Sequence, residues 1–435
     1  MTTIRRQTTL LGRLLPGLAA GLAFIAFLPA LKATFVNWDD EASFLTNTAY
    51  RGLGWPEFRW MFTTTLLGHW SPLTWMTWSF NYVTGGLDPW GYHLGNLLLH
   101  SANVAVFWLV ARQLLASGSG AAITSSTVAA GATLAALIWG LHPLRAEAVA
   151  WASARRDVLC GLFYLLAVLA YLRGVARGAG IERRWWALSL GAFAAALSSK
   201  SIAMTLPLTL VLLDVYPLRR HGLGWRLLAR EKLPYAVLAA AGGVVAFVAR
   251  QDSGTITAYA QYGVGARLAL AVHTIWFSWW KSIWPAGLSP MYELPQHVDL
   301  GQARFLGALL AVATLTAALV LLRRWWPAGL AAWVQSVIVL VPISGVVHSG
   351  NQLAADRYSY LAGLGFAVVA GSGLLWILHH AAGRPARRWM RPLAWAAAAL
   401  VVLGLGATAR MQAAIWQDSE TLWRRAVEVD PTCSL

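Results

Sequence analysis

Long apolar runs alternate with short polar segments along almost the whole chain. The runs 14–31, 305–322 and 393–407 approach or reach the length that crosses a bilayer, which is about 20 residues for a helix. In lipid, backbone groups must be hydrogen-bonded within their own segment, so these runs predict helices. The pattern predicts apolar helices at 14–31, 94–115, 126–141, 157–173, 185–199, 201–216, 233–250, 267–284, 304–322, 327–346, 358–378 and 392–410.

The composition indicates that lipid is the solvent of these runs. Of the 435 residues, 58% are hydrophobic and only 12% are charged, which is more apolar surface than a soluble core can hide. We therefore predict an all-α polytopic membrane protein. The first run follows Arg5 and Arg6 but is longer than the apolar core of a usual signal peptide, which favours an uncleaved span.

The basic residues predict the orientation. The net charge of +16 comes from short basic clusters between the apolar runs, which is typical of membrane proteins and argues against nucleic acid as a partner. Segment 267–284 contains one His, one Lys and four Trp residues, which favours a helix along the outer interface. About 11 helices would then cross, with the N-terminus inside, and only Glu182, Asp214 and Glu231 would be inner acids.

Four outer segments are long or polar enough to form a site: 32–93, 142–157, 251–303 and 347–357. The first is rich in Trp, Phe and Leu, which predicts amphipathic helices that rest on the membrane. The inner loops RGVARGAGIERR and RRHGLGWRLLAREK have the pattern of plain connectors.

Three consecutive carboxylates, Asp39, Asp40 and Glu41, follow the first apolar run. Acidic residues favour helix N-termini, so the triplet can be read as a solvated helix cap. Its neighbours Phe35, Trp38 and Phe44 are aromatic. In such surroundings the pKa of an acid can rise enough for it to accept a proton. The residues alone leave both interpretations open.

Three further polar clusters lie on the predicted outer side. One occupies the loop 141–159, with His142, Arg145, Glu147, Arg155, Arg156 and Asp157. It is either an interface anchor with internal ion pairs or a phosphate site, because arginine binds phosphate oxygens in a bidentate fork. Lys200 either snorkels to water or meets an anion. The third cluster contains His348, Asp356 and Arg357, where a structural Asp–Arg pair is the alternative to a site.

Other familiar chemistry has no support in the sequence. No His, Cys or Asp arrangement has zinc-ligand spacing, and there is no glycine-rich nucleotide loop. The two cysteines, Cys160 and Cys433, exclude a disulfide framework.

Six motifs together resemble the membrane part of the transmembrane and tetratricopeptide-repeat O-mannosyltransferases and their bacterial homologues, which have the GT-C fold. The motifs are FVNWDDEASF, HWSPLTWMTWSFNYVTGGLDPWGYHLGNLLLH, HPLRAEAVAWASARRDVL, KSIAMTLPLTLVLLDVYPL, ADRYSYLAGLGF and WQDSETLWRRAVEVDP, and they cover most of residues 30–431. The resemblance implies a GT-C-like transmembrane catalytic domain over 1–410. It also implies that 411–435 is an outer helical segment at the start of a tetratricopeptide array that this sequence does not continue.

The resemblance further implies an inverting enzyme that transfers mannose or another hexose from a polyprenyl-phosphate sugar to Ser or Thr of a protein. Asp39 would be the general base with Asp40 beside it, and Glu41 would be a cap. Donor phosphate would meet Arg357 first, then Arg155, Arg156, Lys200 and Arg145. Residues that would line the site are His142, Glu147, Asp157, His69, His93 and His348.

The metal and the membrane are further expectations. A divalent metal, Mg or Mn, could bridge the carboxylates and the phosphate, although no ligand set is evident. The composition favours a bacterial inner membrane with the site facing the periplasm; in a eukaryote it would be the endoplasmic reticulum. Two alternatives remain, a flippase or transporter of lipid-linked sugar and a non-catalytic membrane anchor for a repeat domain.

Overall fold

The computed structural model describes residues 2–118, 123–176, 178, 180–254, 262–345, 352–382 and 385–433. These residues are mainly helical, with one small two-stranded sheet. The helices are α1 (Thr2–Ala26), α2 (Trp55–Thr63), α3 (Pro72–Gly85), α4 (Pro89–Gly118), α5 (Ser125–Gly140), α6 (Ala146–Ala150), α7 (Arg155–Val175), α8 (Arg183–Leu197), α9 (Leu206–Val215), α10 (Trp225–Asp252), α11 (Val264–Ile283), α12 (Ala303–Leu321), α13 (Pro327–Leu340), α14 (Ser359–Ala362), α15 (Leu364–Ala381), α16 (Met390–Ile415) and α17 (Ser419–Val429). The strands β1 (Tyr292–Glu293) and β2 (Gln352–Ala354) pair antiparallel.

The helices confirm the prediction of an all-α polytopic membrane protein. Within the described residues, 6 helices are long and apolar enough to cross a membrane, or up to 7 if α5 and the segment Pro143–Ala150, which meet at 56°, form one bent span. Shorter apolar helices occupy Gly12–Ala26, Ser201–Val215 and Pro327–Ile343. Each of the eleven segments predicted to cross contains a helix.

Helix α4 lies at the centre of the bundle, where it packs against α1, α5 and α7. Its buried side chains include Leu97, Val104 and Trp108. Helices α5 and α15 approach each other closely because both carry a glycine at the crossing. A Cβ on Gly131 would lie 2.8 Å from the carbonyl oxygen of Gly371. Small residues permit this type of backbone contact between helices in a membrane.

The first predicted outer loop contains the two short helices α2 and α3, as expected. Both carry a proline in the first turn, where the fixed φ and missing N–H of proline are tolerated. They enclose an aromatic cluster with Phe44, Tyr50, Trp75, Trp78 and Tyr92. This cluster gives the segment 33–93 a core of its own beside α4.

Buried charges join the ends of α7, α9 and α10 on the predicted inner side. Arg220 contacts Asp214 at 3.0 Å and Glu231 at 2.8 Å, and Lys232 contacts Asp214 at 2.6 Å. The hydroxyl of Tyr171 donates to Asp214 and accepts from both cations. The second inner loop is therefore more than a connector, because its charges complete a neutral buried network that spacing alone does not reveal.

The buried network predicts a large difference between two basic residues of α10. Lys232→Ala leaves Asp214 and Tyr171 short of a partner, and breaking a buried pair costs about 3–5 kcal/mol. The exposed Arg230 is the matched control; its replacement by alanine should change stability by about 0.5 kcal/mol or less. Thermal unfolding in mild detergent measures both. Equal midpoints for the two variants would contradict the structural role of the network.

Candidate functional site

The two aspartates of the acidic motif have different surroundings. Asp40 is fully buried. One carboxylate oxygen accepts from the backbone N–H of Val36 at 3.0 Å, and the other accepts from the backbone N–H (3.0 Å) and hydroxyl of Ser153. Asp40 therefore fastens the loop that follows α1 to the turn that precedes α7.

Asp39 faces the open side of the same loop. Its side chain is 25% exposed and forms an ion pair of 3.1 Å with Arg156, the second residue of α7. Asp39 is thus held in one orientation while part of its carboxylate remains accessible. Glu41 begins a short π-helical turn (Glu41–Leu45), and its side chain is exposed.

Two further outer ion pairs lie in the same region. Lys200 contacts Asp157 at 2.6 Å. The Arg357 side chain pairs with Glu147, and its backbone N–H donates to the same carboxylate at 2.7 Å. The guanidinium of Arg357 also donates to Gln352 at 2.7 Å.

His69, in the loop between α2 and α3, is affected by the cations of all three ion pairs. Burial lowers the pKa of its imidazole. Nearby positive charges lower it further, and they belong to Arg156, Arg250, Lys200 and Arg357. Cations on α7, α10, the loop after α8 and the segment before α14 therefore all act electrostatically on one half-buried histidine, which shares a small cavity with Leu197, Ser201 and Gly242. Asp39 joins this group through Arg156.

Arg155, which the sequence analysis placed among the ligands of the donor phosphate, is directed into the protein. It is buried, and its guanidinium donates to Asn96 at 2.7 Å, to Asn81 and to the carbonyl of Tyr92. Successive helix residues point about 100° apart. As a result, Arg155 turns into the protein while Arg156 turns toward Asp39. Arg155 braces α3 and α4 against the start of α7.

Arg145 and His142 are also directed into the protein. Arg145 is buried between the rings of Trp139 and Tyr360, each 5.6 Å away, and donates to Ser359 at 3.0 Å. Both ring nitrogens of His142 contact backbone groups, at Ser282 and Leu144. The Arg145 guanidinium and both ring nitrogens of His142 therefore already have protein partners.

The remaining predicted positions are quickly placed. His93 is buried in α4. His348 lies outside the described residues.

Sequence reasoning missed Arg250, since a single arginine near the end of a span is normally an interfacial anchor. It also missed Tyr292, whose hydroxyl donates to the buried Asp356 at 2.9 Å.

The residues present do not fit a metal that bridges the acidic motif. Both oxygens of Asp40 already accept hydrogen bonds, and Asp39 pairs with Arg156. Across the described part of the chain, no group of three or more His, Cys, Asp or Glu side chains could hold a metal ion. We therefore derive no step through a metal.

A large apolar cavity lies between α4, α7, α9, α13 and α15. Its volume is about 590 Å³. Its lining includes Tyr164 and Leu165, about two turns along α7 from Asp157. Trp325 and Trp376 also line it, and both are exposed, so the cavity has an opening beside them.

The burial of Asp40 predicts a pH effect on stability. Burial raises the pKa of its carboxyl to about 6, compared with about 4 in an unfolded chain. The folded protein therefore binds this proton more tightly, so the stability from protonated Asp40 is present below about pH 4 and is lost as pH rises through about 6. Relative to Asp40→Asn, wild type should lose up to about 3 kcal/mol over this range.

Thermal unfolding of wild type and Asp40→Asn across this pH range measures the effect. The control is Glu420→Gln, because the Glu420 side chain is 80% exposed. A constant difference between wild type and Asp40→Asn at every pH would contradict the raised pKa.

Comparison with known proteins identifies relatives for part of the chain. No model of a known protein family matches the sequence. The chain is 40% identical over 207 residues to Protein O-mannosyl-transferase Tmtc2 of Drosophila melanogaster, which covers 45% of this chain and 21% of that protein. It is 36% identical over 221 residues to Tmtc1 of the same organism (48% and 24%). It is 33% identical over 186 residues to human TMTC2 (40% and 20%).

Among solved structures, the chain is similar to ArnT from Cupriavidus metallidurans bound to undecaprenyl phosphate. The TM-score is 0.46 at 16% identity, over 95% of this chain and 77% of that one. The sequence matches span only 20% to 24% of the three O-mannosyl-transferases. Over the matched part, the chain is similar to the transmembrane and tetratricopeptide-repeat O-mannosyltransferases, which confirms the resemblance predicted from its motifs.

Proposed function

We propose that this protein is an inverting GT-C glycosyltransferase that transfers mannose or another hexose from a polyprenyl-phosphate sugar to Ser or Thr hydroxyls of a protein. The observation that carries the proposal is the partly exposed carboxylate of Asp39, which pairs with Arg156 and is linked to Arg357 through the rings of Trp38 and Trp151. The similarity to protein O-mannosyl-transferases supports the class of reaction.

Asp39 is the general base in this proposal. The acceptor hydroxyl attacks the anomeric carbon, its proton passes to the Asp39 carboxylate, and the bond to the donor phosphate breaks. A single displacement of this kind inverts the anomeric centre. A positioned base contributes roughly 10²–10⁴-fold. Arg156 forms an ion pair of 3.1 Å with the base, so the carboxylate is already oriented before the acceptor binds.

The cations stabilise the departing phosphate. The positive charges that act on His69 belong to Arg156, Lys200, Arg250 and Arg357. Their acidic neighbours are Asp39, Asp157 and Glu147. The donor is a phosphodiester that carries one negative charge. The leaving lipid phosphate gains a second negative charge, and fixed cations favour that change.

The contributions of the predicted phosphate ligands are unequal. Arg357 is our first choice, followed by Arg156 and Lys200, because each pairs with a carboxylate that a phosphate could replace. Arg145 and Arg155 are assigned to support of the fold, since each is only 2% exposed. The side chains of Arg156, Lys200 and Arg357 are 11% to 12% exposed. The polyprenyl chain would occupy the apolar cavity, whose lining residues Tyr164 and Leu165 lie about two turns along α7 from Asp157.

We propose that the site faces outward. The charge pattern of the loops favours this orientation. In a bacterial inner membrane the site would meet proteins in the periplasm, and in an endoplasmic reticulum it would meet proteins in the lumen.

Replacement of the base tests the proposed function directly. Asp39→Asn should reduce transfer by about 10²–10⁴-fold, because the amide cannot accept the proton. Asp88→Asn is the control, since Asp88 is an exposed aspartate of the same outer segment. Transfer is measured with radiolabelled undecaprenyl-phosphate mannose and a Ser/Thr-rich peptide. If the wild type is active and Asp39→Asn retains full activity, the assignment of Asp39 as the base is overturned.

The apolar cavity predicts a dependence on donor chain length. Gly373 lines the cavity, and a Cβ at this position would meet no atom within 4 Å. Gly373→Leu should therefore fill part of the cavity without a clash and raise KM for a long polyprenyl donor more than for a short one. Gly307→Leu is the matched control: its Cβ is equally unobstructed, but Gly307 is not among the lining residues. Equal KM changes for both donor lengths would contradict this location of the chain.

A further inference from the structure

Helix α17 is docked on the loop that carries the acidic motif. The backbone N–H of Thr34 donates to the carbonyl of Gln417 at 2.8 Å, just before α17. The backbone N–H of Asn37 donates to the hydroxyl of Ser419 at 2.9 Å. The indole N–H of Trp423 donates to the side-chain oxygen of Asn37 at 2.6 Å. With the hydroxyl of Thr34, which also donates to the Gln417 carbonyl at 3.3 Å, four hydrogen bonds join the loop to the segment 417–423, two of them to α17 itself.

An aromatic column continues this contact into the site. Trp423 stacks on Trp38 with ring centroids 5.0 Å apart, and Trp38 packs against Trp151 at 5.4 Å. The guanidinium of Arg357 lies 5.4 Å from the Trp151 ring. Trp38 immediately precedes Asp39. Within this column, Trp38 is the neighbour of the proposed base in the chain. Trp151, at the end of the column, contacts Arg357, the first candidate for binding the donor phosphate.

We propose that α17 is a positioning element for transfer, with Trp423 as the residue that fixes the loop 34–38 and hence Asp39. The proposal rests on the proposed function. Trp423 does not contact the reacting atoms; it acts through Asn37 and Trp38. A displacement of about 1 Å at a reacting group can cost on the order of 10²-fold in rate.

The docking of α17 itself does not depend on Trp423 alone. Leu422 and Ala426 on the same helix are fully buried, whereas Trp423 is only half-buried. Removal of the indole should therefore leave α17 attached, while the loop loses one hydrogen bond and the nearer of the two rings stacked on Trp38, the other being Trp416 at 6.4 Å. This separation makes the positioning role testable apart from the stability of the fold.

The test compares Trp423→Ala, Trp423→Phe and Arg424→Ala in the full chain, reconstituted in lipid nanodiscs. Arg424 is adjacent to Trp423, but its side chain is 67% exposed and pairs with Glu420. We measure kcat and donor KM with radiolabelled undecaprenyl-phosphate mannose and a Ser/Thr-rich peptide. Hydrogen exchange of the peptide 34–40 reports the order of the loop without any substrate.

We expect Trp423→Ala to lower kcat by about 10- to 100-fold with little change in donor KM, and to speed exchange of the loop amides. Trp423→Phe keeps a ring against Trp38 and should recover much of kcat. Arg424→Ala should match wild type in every measurement. A merely structural role would instead lower the unfolding midpoint and reduce donor binding and kcat together, which would overturn the proposal.

The failure of this proposal is distinguishable from failure of the proposed function. An active wild type with an unaffected Trp423→Ala, even if the loop exchanges faster, overturns only the role of α17. Absence of product with the wild-type protein overturns the proposed function and the role of α17 in transfer with it.

Discussion

Pairing of buried charge is the constraint on which the arrangement of the helices depends. A charge removed from water costs several kcal/mol unless an opposite charge and hydrogen bonds accompany it. In this protein the partners come from distant segments: Glu147 and Arg357 are 210 positions apart, and Asp39 and Arg156 are 117 apart. Each pair can form only when the helices that carry it have packed, so the ion pairs and the bundle specify each other.

The two groups of paired charges differ in their access to solvent. In the network of Tyr171, Asp214, Arg220, Glu231 and Lys232, each ion-paired side chain is 9% exposed or less. In the outer group, Asp39 is 25% exposed. A closed, neutral network contributes to stability or specificity of packing, whereas an ion pair that remains partly open can exchange a protein partner for a ligand. This difference is the physical reason for assigning chemistry to the outer group.

Sequence patterns predicted the helices well because hydrophobicity is a property of each segment by itself. The run 157–173 lies within α7, and the run 392–410 lies within α16. The direction of a polar side chain is instead a property of the assembled bundle. Nothing in the string RRD indicates that Arg155 turns inward and Arg156 outward, or that Arg250 meets His69. The acidic motif could be located from the sequence, but its partners could not.

The adjacent residues Asp39 and Asp40 have different roles in the structure, although their side chains are chemically identical. Asp40 binds Ser153, which lies three residues before Arg156. The same short turn therefore receives the buried carboxylate and supplies the cation that orients Asp39. A shift of the loop relative to this turn would disturb both contacts at once. Fixing Asp40 in the interior thus makes the Asp39–Arg156 distance a consequence of the fold, and leaves Asp39 as the partly exposed carboxylate of the two.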